Sequence, residues 1–126
     1  MKSIFISHVY EDNEWLKKMQ KWKKKGLLEG YVITHETEDK RQEGKNEIKK
    51  HLRDKINGCT ILLILIGNNT HNHDWIKAEV ELANSLHKKI CCVRIPQTTG
   101  MKPQILNKYK ELVFHPDQIL KELKKL

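Results

Sequence analysis

The sequence predicts an α/β fold: a five-stranded, mostly parallel sheet in the flavodoxin-like order 2-1-3-4-5, with helices on both faces. Three observations lead there. Short apolar runs alternate with helical patterns along the whole chain. The run Thr60–Ile66 is almost pure Ile and Leu, the signature of a strand buried on both faces at the centre of a parallel sheet. Parallel strands need crossover helices, and right-handed crossovers leave few topologies to consider.

The elements follow in order. Ser3–Ser7 reads as the first strand, since Ile4, Phe5 and Ile6 are β-branched or aromatic. Asp12 is placed to cap a helix running to Lys25, where Gly26 stops it. Trp15, Met19 and Trp22 recur on that helix at apolar-stripe spacing. Tyr31–Thr34 is the second strand and Glu36–Gly44 a polar loop. A helix from Lys45 to Asn57 presents Ile48, Leu52 and Ile56 on one face, and Gly58 ends it. After the central strand, Asn68–His73 is a polar loop, and Asp74 caps a helix to His87. Lys89–Ile95 is the fourth strand, Pro103–Lys110 a short helix and Leu112–Phe114 the fifth strand. Pro116 opens a last helix whose Ile119, Leu120 and Leu123 face inward.

Composition narrows the class. With 126 residues the chain is expected to form a single domain over 1–126. Its longest apolar run, Cys59–Gly67, spans nine residues, far short of the roughly 20 that a membrane helix needs. The start of the chain has no apolar segment with a cleavage site, so a cytoplasmic location is expected. The three cysteines, Cys59, Cys91 and Cys92, sit in apolar runs without Cys-x-x-Cys spacing, which reads as buried free thiols and no zinc site. Lys+Arg 24 against Asp+Glu 16 gives a net charge of +8. Much of it comes from Lys17, Lys18, Lys21, Lys23, Lys24 and Lys25, the outer face of the first helix. No aromatic residues interleave there and no recognition motif is present, so nucleic acid is not expected as a partner.

One helix breaks its own pattern. On a wheel of residues 75–88, Trp75, Ile76, Ala78, Val80, Leu82, Ala83 and Leu86 form one apolar arc. Glu79 falls inside it. A buried carboxylate costs several kcal/mol unless it is satisfied. A buried cation such as Arg94 pairs with it, or it accepts backbone bonds near the helix start, or it faces a cleft at the strand ends as an acid/base or cation-stabilising group. In this fold ligands sit outside the C-terminal strand ends, at the switch point between the first and third strands. Ser7, His8, the loop after Thr34 and the stretch 67–74 are expected there. His71-Asn72-His73-Asp74 reads as a solvated loop with a capping Asp rather than a metal site. The chain carries neither a Gly-x-Gly-x-x-Gly fingerprint nor a phosphate-binding loop.

From Leu65 the chain reads LIGNNTHNHDWIKAEVELA. Its Ile66-Gly67, the Thr70 three residues after the glycine, and Trp75-x-x-x-Glu79 resemble the TIR-like proteins of the bacterial Thoeris antiphage defence system. The opening IFISHVYEDNEWL resembles their first strand and following helix. The resemblance implies a flavodoxin-like TIR fold and cleavage of the nicotinamide–ribose bond of NAD, with a cyclic or conjugated ADP-ribose signal as product. It implies Glu79 as the catalytic glutamate. Ser7, His8 and Val9 would stand in the first loop beside the nicotinamide ribose, and Gly67, Asn68 and Thr70 in the loop after the third strand. Trp75 would supply an apolar wall. NAD would be the substrate, with no further cofactor and no metal. The expected partners are further copies of the chain on activation and a separate effector protein that reads the signal. The loop Glu36–Gly44 lacks the Arg-Asp and Pro-Gly pattern of many animal and plant TIR domains. Two other readings share this fold: a non-enzymatic TIR or receiver-like interaction module, and a nucleoside deoxyribosyltransferase-like enzyme. A phosphorylated receiver is disfavoured, because Ser7-His8 and Gly67 stand where it would carry its acids.

Overall fold

The computed structural model describes residues 2–35 and 52–126. Five strands form one parallel sheet: β1 (Lys2–Ser7), β2 (Tyr31–His35), β3 (Ile61–Ile66), β4 (Lys89–Arg94) and β5 (Glu111–Val113). Their spatial order is β2-β1-β3-β4-β5, as the alternation predicts. The central strand β3 is buried along its whole length. Its neighbours lie in parallel register, with Ile4 opposite Ile61 on one side and Ile61 opposite Lys89 on the other.

The helices are α1 (Asn13–Lys24), α2 (residues 52–57, the described part), α3 (Asp74–Ser85) and α4 (Pro116–Leu123). Side-chain alternation along the strands sorts them into two layers. Ile4, Ile6, Leu63, Leu65 and Val93 point to one face, where Leu16 and Met19 of α1 meet Ile119 and Leu123 of α4. Phe5, Leu62, Ile64, Ile66 and Cys92 point to the other, under Leu52 and Ile56 of α2 and Ile76, Val80 and Ala83 of α3.

The apolar stripe of α1 is present: Met19 is buried, and Trp15 and Trp22, half-buried, pack against the same core and on Phe114, at centroid distances of 5.1 and 4.6 Å. Other local expectations are corrected. Asp12 occupies the N-cap position of α1, but its side chain makes no capping hydrogen bond. It ends a 3-10 turn, Tyr10–Asp12, and its carboxyl points elsewhere. At α3 the N-cap is His73, and Asp74 is already the first helical residue. The α3 helix stops at Ser85, two residues early, because His87 takes a left-handed backbone (φ 58°). The stretch Pro103–Lys110 forms only a 3-10 turn, Gln104–Leu106. The expected loop Glu36–Gly44, and residues 45–51 of the helix expected over Lys45–Asn57, lie outside the described residues. All three cysteines are buried and free, and burial pushes the Cys91 and Cys92 thiols up to about 12 and 11.

Candidate active site

Among the described residues, five polar or charged side chains are buried: Ser7, His8, Asp12, Thr70 and Glu79. All belong to segments that leave the C-terminal ends of β1 and β3, the adjacent strands at which the chain's course across the sheet reverses. Polar groups are costly to bury and are retained where something requires them. Their concentration at one place marks the crevice where this topology binds ligands.

The first wall follows β1. Ser7 is the last residue of the strand, opposite Ile64, and is fully buried. His8 comes next, with Nε2 3.1 Å from Asn13 Oδ1. The Val9 side chain is in the core, and its carbonyl accepts the Asp12 N–H at 2.9 Å, closing the 3-10 turn.

The second wall follows β3. Thr70 Oγ1 accepts the Gly67 N–H at 2.8 Å and donates to the Leu65 carbonyl at 3.4 Å, so a buried hydroxyl ties the loop back onto its strand. Two acids of the first wall reach this loop. Glu11 accepts two bonds from Asn69 Nδ2, at 2.9 and 3.0 Å. The Asp12 carboxyl lies directly on Gly67: a Cβ there would meet its Oδ2 and come within 2.8 Å of its Cγ and Oδ1. From the far side, the Thr99 N–H donates to Asn68 Oδ1 at 2.8 Å. Gly100 is pressed against the Gly67 and Asn68 carbonyls. Arg94 anchors that flank, donating to the Gly100 carbonyl at 2.7 Å and forking onto Glu111 at 2.9 Å.

Glu79 lies in the second turn of α3 and is 0% exposed. The buried stripe of that helix is Ile76, Glu79, Val80 and Ala83, so the acid occupies the middle of the face turned to the sheet. Arg94, the cation the sequence offers as a structural partner, is engaged by Glu111 and Gly100 instead. Trp75 is half-buried one turn earlier, its ring 4.2 Å from that of His73. The His71–Asp74 segment borders a separate cleft of about 550 Å³ between α3 and the β4–β5 connection. Among the described residues, no group of three or more His, Cys, Asp or Glu is arranged to hold a metal ion.

Asp12 is the site residue that sequence reasoning assigned to another task. Burial, reinforced by the neighbouring charges of Glu11 and Glu14, raises its carboxyl from 3.8 to about 6. The one available signal was its place five residues after the end of β1; its burial against Gly67 is tertiary.

The solved TIR domain of the Toll-related receptor TRR-2 from Hydra magnipapillata is 14% identical, over 97% of this chain and 88% of that one, with a TM-score of 0.60. A 2-desoxiribosyltransferase from Leishmania mexicana is 17% identical over 88% of this chain and 73% of that one (TM-score 0.54). The CMP N-glycosidase BcmB of Clostridium botulinum is 14% identical over 98% and 99% (TM-score 0.57). At these identities the likeness concerns the fold. No curated protein matches the chain. The family model described as Thoeris protein ThsB, TIR-like domain, matches residues 5–100, from β1 through both walls of the crevice and α3, and the chain belongs to that family.

Proposed function

We propose that this domain cleaves the nicotinamide–ribose bond of NAD and passes the ADP-ribosyl group on, to a group of the same molecule or to an acceptor, as a nucleotide signal in antiphage defence. The observation that carries the reading is Glu79, a fully buried carboxylate on an otherwise apolar stripe of the helix that follows the β3 loop.

The chemistry needs little more. Breaking an N-glycosidic bond builds an oxocarbenium-like centre at the ribose C1′. The nicotinamide of NAD is already cationic and leaves neutral, so no acid has to protonate it. One carboxylate held in a dry setting is then sufficient to accept the ribose hydroxyls and stabilise the growing positive charge. Glu79 has that setting, and Trp75, one turn earlier on the helix, packs against the apolar cluster of that layer. Ser7 and His8 border the crevice from β1, and Gly67, Asn68 and Thr70 border it from β3. On this reading NAD is substrate, no cofactor or metal takes part, the domain works in the cytoplasm, and copies of the chain assemble on activation. A separate effector reads the product.

Incubation with NAD and chromatography of released nicotinamide tests the proposal. Glu79→Gln keeps the shape and removes the charge, so turnover should fall by about 10²–10³-fold. Full activity in that variant refutes the role of Glu79. A second reading has its own support: two solved structures of the same fold are named for a nucleotide N-glycosidase and a deoxyribosyltransferase. Release of free base from CMP or deoxynucleosides, with NAD untouched, would establish that alternative.

A further inference from the structure

We propose that Asp12 is a positioning residue of the crevice and works as a neutral carboxylic acid, wedging the Gly67–Thr70 wall into place, so that its ionisation loosens that wall. The reading rests first on geometry. Asp12 is 6% exposed, and its Oδ2 has no hydrogen-bond partner among the described residues. Its carboxyl occupies the space that a side chain at position 67 would fill. The segment it touches is anchored at both ends, by Thr70 Oγ1 on the Gly67 N–H and by Thr99 on Asn68. An oxygen packed against backbone with no donor to receive its charge favours the protonated form of the carboxyl.

The surrounding charges act in the same sense. Glu11 and Glu14, on the turn and first helical turn that carry Asp12, repel its ionised form. His8, at the end of β1, is engaged with Asn13 Oδ1. The facing loop contributes Gly67, Asn68, Asn69 and Thr70, none of which titrates in this range. Between pH 5 and 8 the carboxyl therefore changes from mostly neutral to mostly charged, given its value of about 6. The charged form pushes away from the Gly67 backbone, while the exposed Glu11–Asn69 bonds still tether the loop. Nucleotide capture weakens along with the wall; this last consequence alone rests on the proposed function.

The test is amide hydrogen exchange of Gly67 and Thr70 by NMR on the full chain, with NAD titrated into the same samples at pH 5.5 and 7.5. In the wild type, protection at both amides, after correction for intrinsic exchange, should fall at least about 3-fold across that interval while the β3 core amides hold. NAD affinity should fall with it. In Asp12→Asn, which cannot ionise, both quantities should stay flat. Equal pH dependence in the two proteins, or constant protection in the wild type, overturns the inference. The wild-type arm stands even where the variant fails to fold. Absence of NAD binding at either pH would count against the proposed substrate, and the exchange data would still decide the role of Asp12.

Discussion

Gly67→Ala offers the sharpest check on how the crevice is built. The added methyl would meet Asp12 Oδ2 and lie 2.8 Å from Asp12 Cγ and Oδ1, well inside ordinary carbon contact. The three nearest atoms all belong to one side chain, so the closest strain is assignable to one pair. The Asp12 carboxyl is short and buried, so relief requires moving the Tyr10–Asp12 turn or the Gly67 loop. Overpacking of this kind costs about 1–3 kcal/mol, and we take about 2 kcal/mol as the expected loss. Urea unfolding followed by fluorescence of the three tryptophans measures it, as a fall in midpoint of about 1 M for a slope near 2 kcal/mol/M. Asp12→Ala removes all three contacting atoms. In the Asp12→Ala background the same glycine change should therefore cost under about 0.5 kcal/mol, a coupling of at least about 1.5 kcal/mol in a double-mutant cycle. Additive effects of the two changes, or a neutral Gly67→Ala, would show that the carboxyl does not press on this glycine and would undo the reasoning.

Other outcomes follow from the same geometry. Asp12 has a folded-state value raised from 3.8 to about 6, so the folded protein binds more protons than the unfolded chain between those values, and stability declines as pH rises through that window. Asp12→Asn should therefore be more stable than the wild type at pH 8 by about 3 kcal/mol, with the difference vanishing near pH 3.5; calorimetry at the two pH values measures this, and a constant difference would contradict it. Arg94→Lys keeps the charge but loses the fork onto Glu111 and the bond to the Gly100 carbonyl; a loss of about 1–2 kcal/mol in urea unfolding is expected. The buried thiols, with Cys91 and Cys92 raised to about 12 and 11, should react with an aromatic disulfide reagent at pH 8 only after denaturant is added; rapid labelling of the native protein would contradict their burial.

How much of this was legible beforehand depends on the range of the interaction concerned. Periodicity carried the parallel sheet and the central place of β3, because a run such as Ile61–Ile66 has to be covered on both faces and parallel neighbours have to be joined by helices, which leaves few strand orders. It also isolated Glu79, since a charge on an apolar arc is visible on a wheel, and the structure places it on the buried stripe with Ile76, Val80 and Ala83. Local rules failed where a tertiary contact outweighed them. Asp12 stands where a cap belongs, yet its side chain caps nothing. The spacing of Trp15 and Trp22 marks an apolar stripe, yet nothing local shows that both pack on Phe114, 99 and 92 positions further along the chain.

The sequence by itself determined a parallel five-stranded α/β sheet, its family, and one acid out of place on an apolar helix face, because each is written in local spacing or in short motifs. Only the tertiary structure decided that Arg94 serves Glu111 and Gly100 rather than Glu79, and that Asp12 closes on Gly67 from across the crevice. The physical reason is that a hydrophobic period is repeated every few residues and survives in one dimension. The approach of a single carboxyl to a single glycine 55 positions away leaves no period, and exists only once both strands are side by side.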